Sequence, residues 1–471
     1  MRSYSCAFGL VLLLFGSALA DQKPNVLFIA VDDLRPQLNC YGKAFMKSPN
    51  IDRLAGEGVL FEHAYCMVPT CGASRASLMT SVRPSPNRFK NYLAWAEKEA
   101  PSALPLNRCF LDAGYTTISL GKVFHHATDC KDGWSEPAWR SRKPGYLNSV
   151  RQRESTRENK KKWPSKRKHN AAPYEATDTE DSEHRDGDCA LKALSYLDEF
   201  ADAPEKPFFL AVGFQKPHLP FNAPQKYWDM YDREQIDLPP NYYPPKNAPT
   251  GAVHNSGELR AYAGIPPGGP VDRDTARTMI HGYYACVSFI DAQIGLLLDK
   301  LDEKGLAQNT VVVLWGDHGW QLGEHGMWNK HSCFETSMHA PLIIRCGKDV
   351  NGEVKNGTQF KGLVEFIDIY PTLCDLADIE IPAHCEGTSM VGIMQNPESD
   401  WKSHAVGRYK NGDTIRSKNY RYSQYSDKNA AVIGEMLYDH EVDAAENSNI
   451  AALKAKITAK LGQSLDKIKG R

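Results

Sequence analysis

Past its first twenty residues, the sequence has no apolar run of the roughly 20 residues that a membrane-spanning helix needs. No stable membrane insertion is therefore expected. It also lacks an excess of either charge: 56 Lys and Arg face 57 Asp and Glu, for a net charge of −1. That excludes the broad positive field on which nucleic-acid binding depends. Cys-x-x-Cys pairs and the Cys/His spacings of zinc modules are missing. So is any internal repeat, which excludes solenoids and propellers.

What is present begins with a leader. Arg2 is followed by the apolar run Gly9 to Phe15 and the small-residue site Ala18-Leu19-Ala20. This order predicts a signal peptide over residues 1–20 and an exported protein, periplasmic or secreted. With Cys6 in the leader and Cys71 set aside, an even number of the 12 cysteines remains, which permits disulfides in an exported chain. Cys374 and Cys385 are the pair that a short loop could close.

Pro24–Val31, Thr116–Leu120, Pro207–Phe214, Val311–Trp315 and Pro341–Arg345 are continuous apolar runs. Continuous rather than alternating apolarity predicts strands buried on both faces, as in a parallel sheet. Helical patterns lie between them at Ile51–Gly58, Ser74–Thr80, Asp188–Phe200 and about Ala276 to Glu303. The alternation predicts a doubly wound α/β fold, with ligands beyond the carboxyl ends of the strands. After about residue 395 the pattern changes to short alternating aromatic strands at His404–Tyr409, Thr414–Ser417, Tyr420–Tyr425 and Met436–Asp439. A closing helix is expected at Ile450–Leu461. The division expected is a main domain over 21–395 and a small C-terminal α+β subdomain over 396–471.

Residues 151–169 carry nine Lys and Arg against two Glu, and residues 175–188 carry seven Asp and Glu. Both read as solvated loops. The alternative for the first is a basic rim that holds an anionic polymer. Residues 215–275, rich in Pro, Tyr and Asn, read as a long excursion of the kind that shapes a site mouth.

Polar residues cluster at the predicted strand ends. Asp32-Asp33 ends the first run, and Asp317-His318 ends another. Carboxylates brought together repel unless a cation lies between them, so three Asp at one place read as a hard-metal site. Singly, each would be a turn or cap residue. Gly121-Lys122-Val123-Phe124-His125 and Lys216-Pro217-His218-Leu219-Pro220 follow two further runs. Cys71-Gly72-Ala73-Ser74-Arg75 opens a helical stretch that Ser74 could cap. There the helix dipole favours an anion or a thiolate at Cys71.

These elements, in this order, resemble the type I sulfatases, the formylglycine-dependent sulfatase family. Cys71-x-Ala73-x-Arg75 is similar to the family signature Cys-x-Pro-x-Arg, with Ala73 where most members have Pro. Gly316 to Lys330 resembles the family's Asp-His/Asn-Gly-x-x-x-Gly-Glu-His-Gly-x-x-x-Lys element. Within the family the resemblance is nearest to iduronate-2-sulfatase, on Asp32 to Pro36, Cys40-Tyr41-Gly42, Ser48 to Asp52, Gly121 to His125 and Lys216-Pro217-His218. It implies an alkaline-phosphatase-like α/β fold. This would be a large mixed, mostly parallel sheet flanked by helices, with a small C-terminal antiparallel sheet plus helix.

The resemblance also implies a chemistry. Cys71 would be oxidised to Cα-formylglycine by a formylglycine-generating or maturase enzyme, and its hydrate would attack the sulfur of a sulfate monoester on a sulfated carbohydrate. The carbohydrate would be a glycosaminoglycan or another sulfated polysaccharide or oligosaccharide. Asp32, Asp33, Asp317 and His318, with the modified Cys71, would bind one divalent cation, Ca²⁺ ahead of Mg²⁺. Arg75 would polarise the nucleophile, and Lys122 and His125 would contact it. His218 and Lys330 would face the substrate and its leaving oxygen. Two other functions fit the same residues. One is phosphodiesterase or phosphonate hydrolysis on the same fold, and the other is non-catalytic binding of sulfated glycans.

Overall fold

A computed structural model describes residues 23–166, 168–350 and 353–469. The leader read at residues 1–20 lies outside the described residues. Among the described residues, no helix is long and apolar enough to cross a membrane.

Seven strands form the main sheet: β1 (Asn25–Val31), β2 (Val59–Tyr65), β3 (Thr116–Gly121), β4 (Phe208–Phe214), β5 (Thr310–Gly316), β6 (Leu342–Cys346) and β7 (Thr358–Glu365). Their spatial order is β7-β2-β6-β5-β1-β4-β3. β6 runs antiparallel to β2 and β5, and the other pairs are parallel. The sheet is therefore mixed and mostly parallel. β1, β4 and β5 are buried throughout, which accounts for their unbroken apolar sequences. Two strands escape the sequence reading. Glu62 and His63 interrupt β2, and β7 is an edge strand that exposes Gln359 and Lys361.

Alternate residues of β1 serve two cores. Phe28 and Ala30 pack with Val313 and Trp315 on one face, and Leu27 and Ile29 pack with Val312 and Leu314 on the other. Each large side chain buried this way contributes about 1.5–3 kcal/mol. The helices that position the site are α1 (Pro49–Gly56), α2 (Cys71–Thr80), α3 (Ser149–Lys162), α4 (Arg185–Ala201), α5 (Arg273–Glu303) and α6 (Ala455–Ile468). α2 joins the first core, and α5 fills the second, packed on α4 and α1.

The 151–169 stretch is not a loop over its first part. Residues up to Lys162 form α3, capped by Asn148 Oδ1, which accepts from Arg151 N at 2.9 Å. Arg, Lys, Glu and Gln favour helix intrinsically, but α3 has no apolar stripe, so its periodicity is silent. The acidic stretch likewise contains a short strand, Tyr174–Thr177, paired with Phe221–Pro224, and it runs into the start of α4.

The C-terminal strands β8 (His404–Tyr409), β9 (Gly412–Ser417), β10 (Tyr420–Ser426) and β11 (Val432–Asp439) form an antiparallel sheet in sequence order, with α6 against it. It docks on the main sheet through Val406 N to Glu365 Oε1 at 2.9 Å and through Glu335, which accepts from Arg416 and Arg421. α6 starts later than its sequence pattern, because Ile450 N bonds Leu437 O and keeps that segment in a turn. The described cysteines are free thiols. Cys374 Sγ lies 3.9 Å from Cys109 Sγ, not bonded to Cys385.

Candidate active site

Strand register builds the centre. Val31 pairs with both Phe214 and Gly316, so Asp32 and Asp317 leave β1 and β5 at the same level. Asp33 follows in the left-handed region at φ 63° and donates its N–H to Asp317 Oδ1 at 3.0 Å. A side chain held at such a φ is costly and is kept where the surroundings over-determine it.

α2 brings in Cys71 and Arg75. Cys71 is the first helical residue, and extended Thr70 precedes it. Ser74 does not cap the helix: its Oγ donates to the Asp317 carbonyl at 2.5 Å and ties α2 to the end of β5. Gly72 is needed for close approach, since a Cβ there would collide with the Tyr92 carbonyl. Arg75 is fully buried and donates through Nε to Asp317 Oδ2 at 3.0 Å, through Nη2 to Asp32 Oδ1 at 3.3 Å, and to the carbonyls of Lys122 and Val123. Its guanidinium also lies 5.6 Å from the centre of the Trp315 ring.

Cys71 is not set up as a thiolate. Burial, and then the charge of Asp32, push its thiol well above the ordinary value, against Lys122 and Lys330. The helix dipole does not overcome this. A direct thiolate attack is therefore disfavoured at this position.

His318 Nδ1 lies 3.0 Å from the Gly319 carbonyl, which places its proton there. The lone pair of Nε2 then faces Cys71 Sγ at 3.4 Å and one oxygen each of Asp33 and Asp317 at 3.5 Å. Burial lowers the basicity of the ring, so it stays neutral. Ligand atoms of Asp32, Cys71, Asp317 and His318 all lie within 4.8 Å of one another. Burial raises the Asp33 carboxyl well above its ordinary value, with Asp32, Glu258 and Asp317 adding to it against Lys330. Packed carboxylates and an inward-facing imidazole nitrogen fit a divalent cation.

Lys122 and His125 follow β3. Gly213 opposite them is required, because a Cβ there would collide with the Lys122 backbone. Lys122 Nζ bonds Asp32 Oδ2. Burial pushes the Asp32 carboxyl up, but Lys122, His218 and Arg75 together outweigh it and hold the carboxyl well below the ordinary range. His125 Nδ1 is buried without a hydrogen-bond partner among the described residues. Burial, and then Lys122, lower its pKa to about 3, so the ring is neutral and can accept a proton. His126 turns away and stacks on Trp95 with ring centres 4.1 Å apart.

On the other side, Lys330 Nζ bonds Asp33 Oδ1 at 3.0 Å and Glu258 Oε2 at 3.1 Å, over the Trp320 ring. His218 Nδ1 lies 2.6 Å from the Leu219 carbonyl, and its Nε2 lies 3.2 Å from Glu258 Oε1. Glu258 sits in a short helix inside the 215–275 excursion, where no sequence periodicity marks it. Glu324 and His325 are structural: Glu324 bonds Arg35 at 2.7 Å, and His325 bonds the Ala445 carbonyl at 2.8 Å.

Cys71, His125, His218, Glu258 and Lys330 open into a cavity of about 690 Å³, which Lys166 and Arg260 also line. Sequence reasoning did not single out Glu258, Lys166 or Arg260. The basic run around Lys166 was the one available signal.

The chain matches the family description Sulfatase over residues 24–379, and N-sulphoglucosamine sulphohydrolase, C-terminal, over residues 323–471. It is 33% identical to Homo sapiens iduronate 2-sulfatase over 395 residues, covering 77% of this chain and 70% of that protein. It is also 33% identical to a sulfatase of Formosa agariphila over 463 residues, covering 93% and 85%. Among solved structures it resembles a protein bound to its substrate D-glucosamine-2-N,6-O-disulfate, with a TM-score of 0.74, 20% identity and 95% and 98% of the two chains covered. The match over most of its length, on a mostly parallel sheet with Cys71 and Arg75 buried at the strand ends, makes this chain a member of the sulfatase family, a sulfuric ester hydrolase.

Proposed function

We propose that this enzyme hydrolyses a sulfate monoester on a sulfated carbohydrate, a glycosaminoglycan or another sulfated polysaccharide or oligosaccharide. One observation carries the reading. Cys71 belongs with Asp32, Asp317 and His318 to a buried group whose ligand atoms could hold a cation, and with His125, His218 and Lys330 it lines one cavity. The relatives named for iduronate sulfate and the structure holding a disulfated glucosamine support a sugar substrate.

Matured by a formylglycine-generating or maturase enzyme, Cys71 supplies an aldehyde hydrate, one hydroxyl serving as nucleophile and the other allowing sulfate release without attack of water on sulfur. Asp32, Asp33, Asp317 and His318, with the matured Cys71, would hold one divalent cation, Ca²⁺ ahead of Mg²⁺, whose chemistry is Lewis-acid polarisation of the sulfate.

The remaining work falls to the chain's own side chains. Arg75, Lys122 and Lys330 set a positive field around the transferring group, in a buried site where such charges are worth most. Neutral His125, with Nδ1 unpartnered, takes a proton from the Cys71-derived group. Lys330 donates to the departing sugar oxygen. His218 Nε2 faces Glu258 Oε1 at 3.2 Å, and burial, and then Lys330, lower the His218 pKa to about 3, so the neutral ring orients the leaving group while Lys330 supplies the proton. Residues 21–395 would carry this chemistry, with 396–471 as a subdomain, in a protein exported by its leader.

The test is parallel turnover of an aryl sulfate, an aryl phosphodiester and a phosphonate monoester by the matured protein. kcat/KM highest on the sulfate supports the reading. Preference for either phosphorus ester assigns the site to phosphodiester or phosphonate chemistry.

A further inference from the structure

Five charged side chains line the cavity: Lys166, Lys168, Arg260 and Lys330 are positive, and Glu258 is negative. Glu258 is already engaged by Lys330 and His218. The three other cations therefore face the cavity with no carboxylate paired to them among the described residues.

Two of the three are held in place. Lys166 is 9% exposed, and its Nζ donates to Asn159 Oδ1 at 2.8 Å and to the Tyr262 carbonyl at 2.9 Å. Asn159 is itself fixed, donating from Nδ2 to the carbonyls of Asn170 and Ala261 at 2.9 Å. An ammonium has three protons, so one remains for the cavity. Arg260 is 8% exposed and donates to the carbonyls of Asn255, Pro266 and Gly269 at 3.3, 3.1 and 2.5 Å. Three of its five donors are used.

Neutral oxygens orient these cations but do not neutralise them. Burial, and next the charges of Arg260 and Lys162, lower the Lys166 pKa to about 8. Burial lowers Arg260 as well. A buried positive charge without a counter-charge is costly, and an anion with several oxygens is its natural complement.

We propose that Lys166 and Arg260, with Lys168 at the rim, form an anion subsite for a second negatively charged group on the sugar that bears the scissile sulfate ester. Resting on the sulfatase reading above, this narrows the substrate to sugars with at least two anionic groups. The second group is a carboxylate, as on a uronic acid, or another sulfate. Both present oxygens that a fixed ammonium and guanidinium can bind.

Lys166→Met and Lys166→Arg variants of the matured enzyme test this on three probes: a mono-O-sulfated neutral hexose, a mono-O-sulfated hexuronate and a di-O-sulfated hexose. For Lys166→Met, the kcat/KM ratio of a doubly anionic probe to the neutral hexose sulfate should fall at least tenfold, and Lys166→Arg should retain it. A fall confined to the hexuronate assigns a carboxylate, and one confined to the disulfated hexose assigns a sulfate. An unchanged ratio on both, or loss on Lys166→Arg equal to that on Lys166→Met, overturns the proposal. Calorimetric binding of the same probes to a Cys71→Ser background reads the subsite without turnover. There the affinity ratio should fall in the same way. If no probe is hydrolysed yet the binding ratio falls, the sulfatase reading fails and the subsite stands.

Discussion

Glu258 Oε1 lies 3.2 Å from His218 Nε2, and the same carboxylate holds Lys330 through its other oxygen. Lys330 and then His218 hold this carboxyl down at about 2 against the effect of burial. Glu258 therefore stays ionised and orients both groups placed at the leaving oxygen. Glu258→Gln should lower kcat on a sugar sulfate by about 10²-fold, the usual scale for a displaced acid or base. An aryl sulfate, whose leaving group needs no proton, should lose much less. Equal losses on both esters would reduce Glu258 to a structural contact.

Cys71→Ser removes the sulfur that maturation acts on and changes little volume. Turnover should fall by on the order of 10³-fold or more, because a serine left unoxidised offers a single hydroxyl and has no second one to release the sulfate, while the melting temperature stays within a few degrees. Near-wild-type activity in this variant would sink the mechanism.

Removing divalent ions should abolish turnover, and Ca²⁺ should restore it better than Mg²⁺. Binding to the folded state alone also stabilises, by about 2.7 kcal/mol when free ion is at 100 times its Kd. Thermal unfolding should thus shift upward on Ca²⁺ addition, and Asp317→Asn should blunt the shift. A melting curve indifferent to chelator and to Ca²⁺ would argue against a cation at Asp32, Asp33 and Asp317.

The C-terminal sheet should be sensitive to acid. Glu335 accepts from Tyr65 Oη at 2.7 Å and from Arg416 and Arg421, and the two guanidiniums hold its carboxyl well below the ordinary 4.5 despite burial. A carboxyl with a lower pKa folded than unfolded adds stability above the unfolded value and loses it as pH falls below it. Melting temperature should therefore drop below about pH 4.5, and Glu335→Gln should flatten that part of the profile. The variant should also cost about 3 kcal/mol at neutral pH by leaving buried Arg416 without its carboxylate, while Arg421 keeps Glu446 at 3.1 Å. An unaltered acid limb would remove Glu335 from this role.

Much of this architecture was legible because burial writes itself into strands such as β1 and β5, and their ends mark where Asp32 and Asp317 emerge. Direction was not legible. β6 is as apolar as its neighbours, and an apolar run does not record that it runs against them. α3 escaped because helix-favouring charged residues without an apolar stripe leave no period. Ser74 looked like a cap by its position, but its partner, the Asp317 carbonyl, is supplied by a strand distant in sequence. Cys71 looked poised as a thiolate beside a helix start, but burial and Asp32 decide its protonation. Glu258, Lys166 and Arg260 acquire meaning only from the cavity wall, which forms when the excursions fold back over the strand ends.

The most direct measurement is the mass of the peptide spanning Cys71, from active protein made with its own maturation system. Conversion of the thiol to formylglycine should lower the mass by about 18 Da, with the hydrate restoring about the same amount, as the aldehyde chemistry of the nucleophile requires. A peptide carrying an unmodified thiol, in protein that turns over sulfate esters at full rate, would contradict the account.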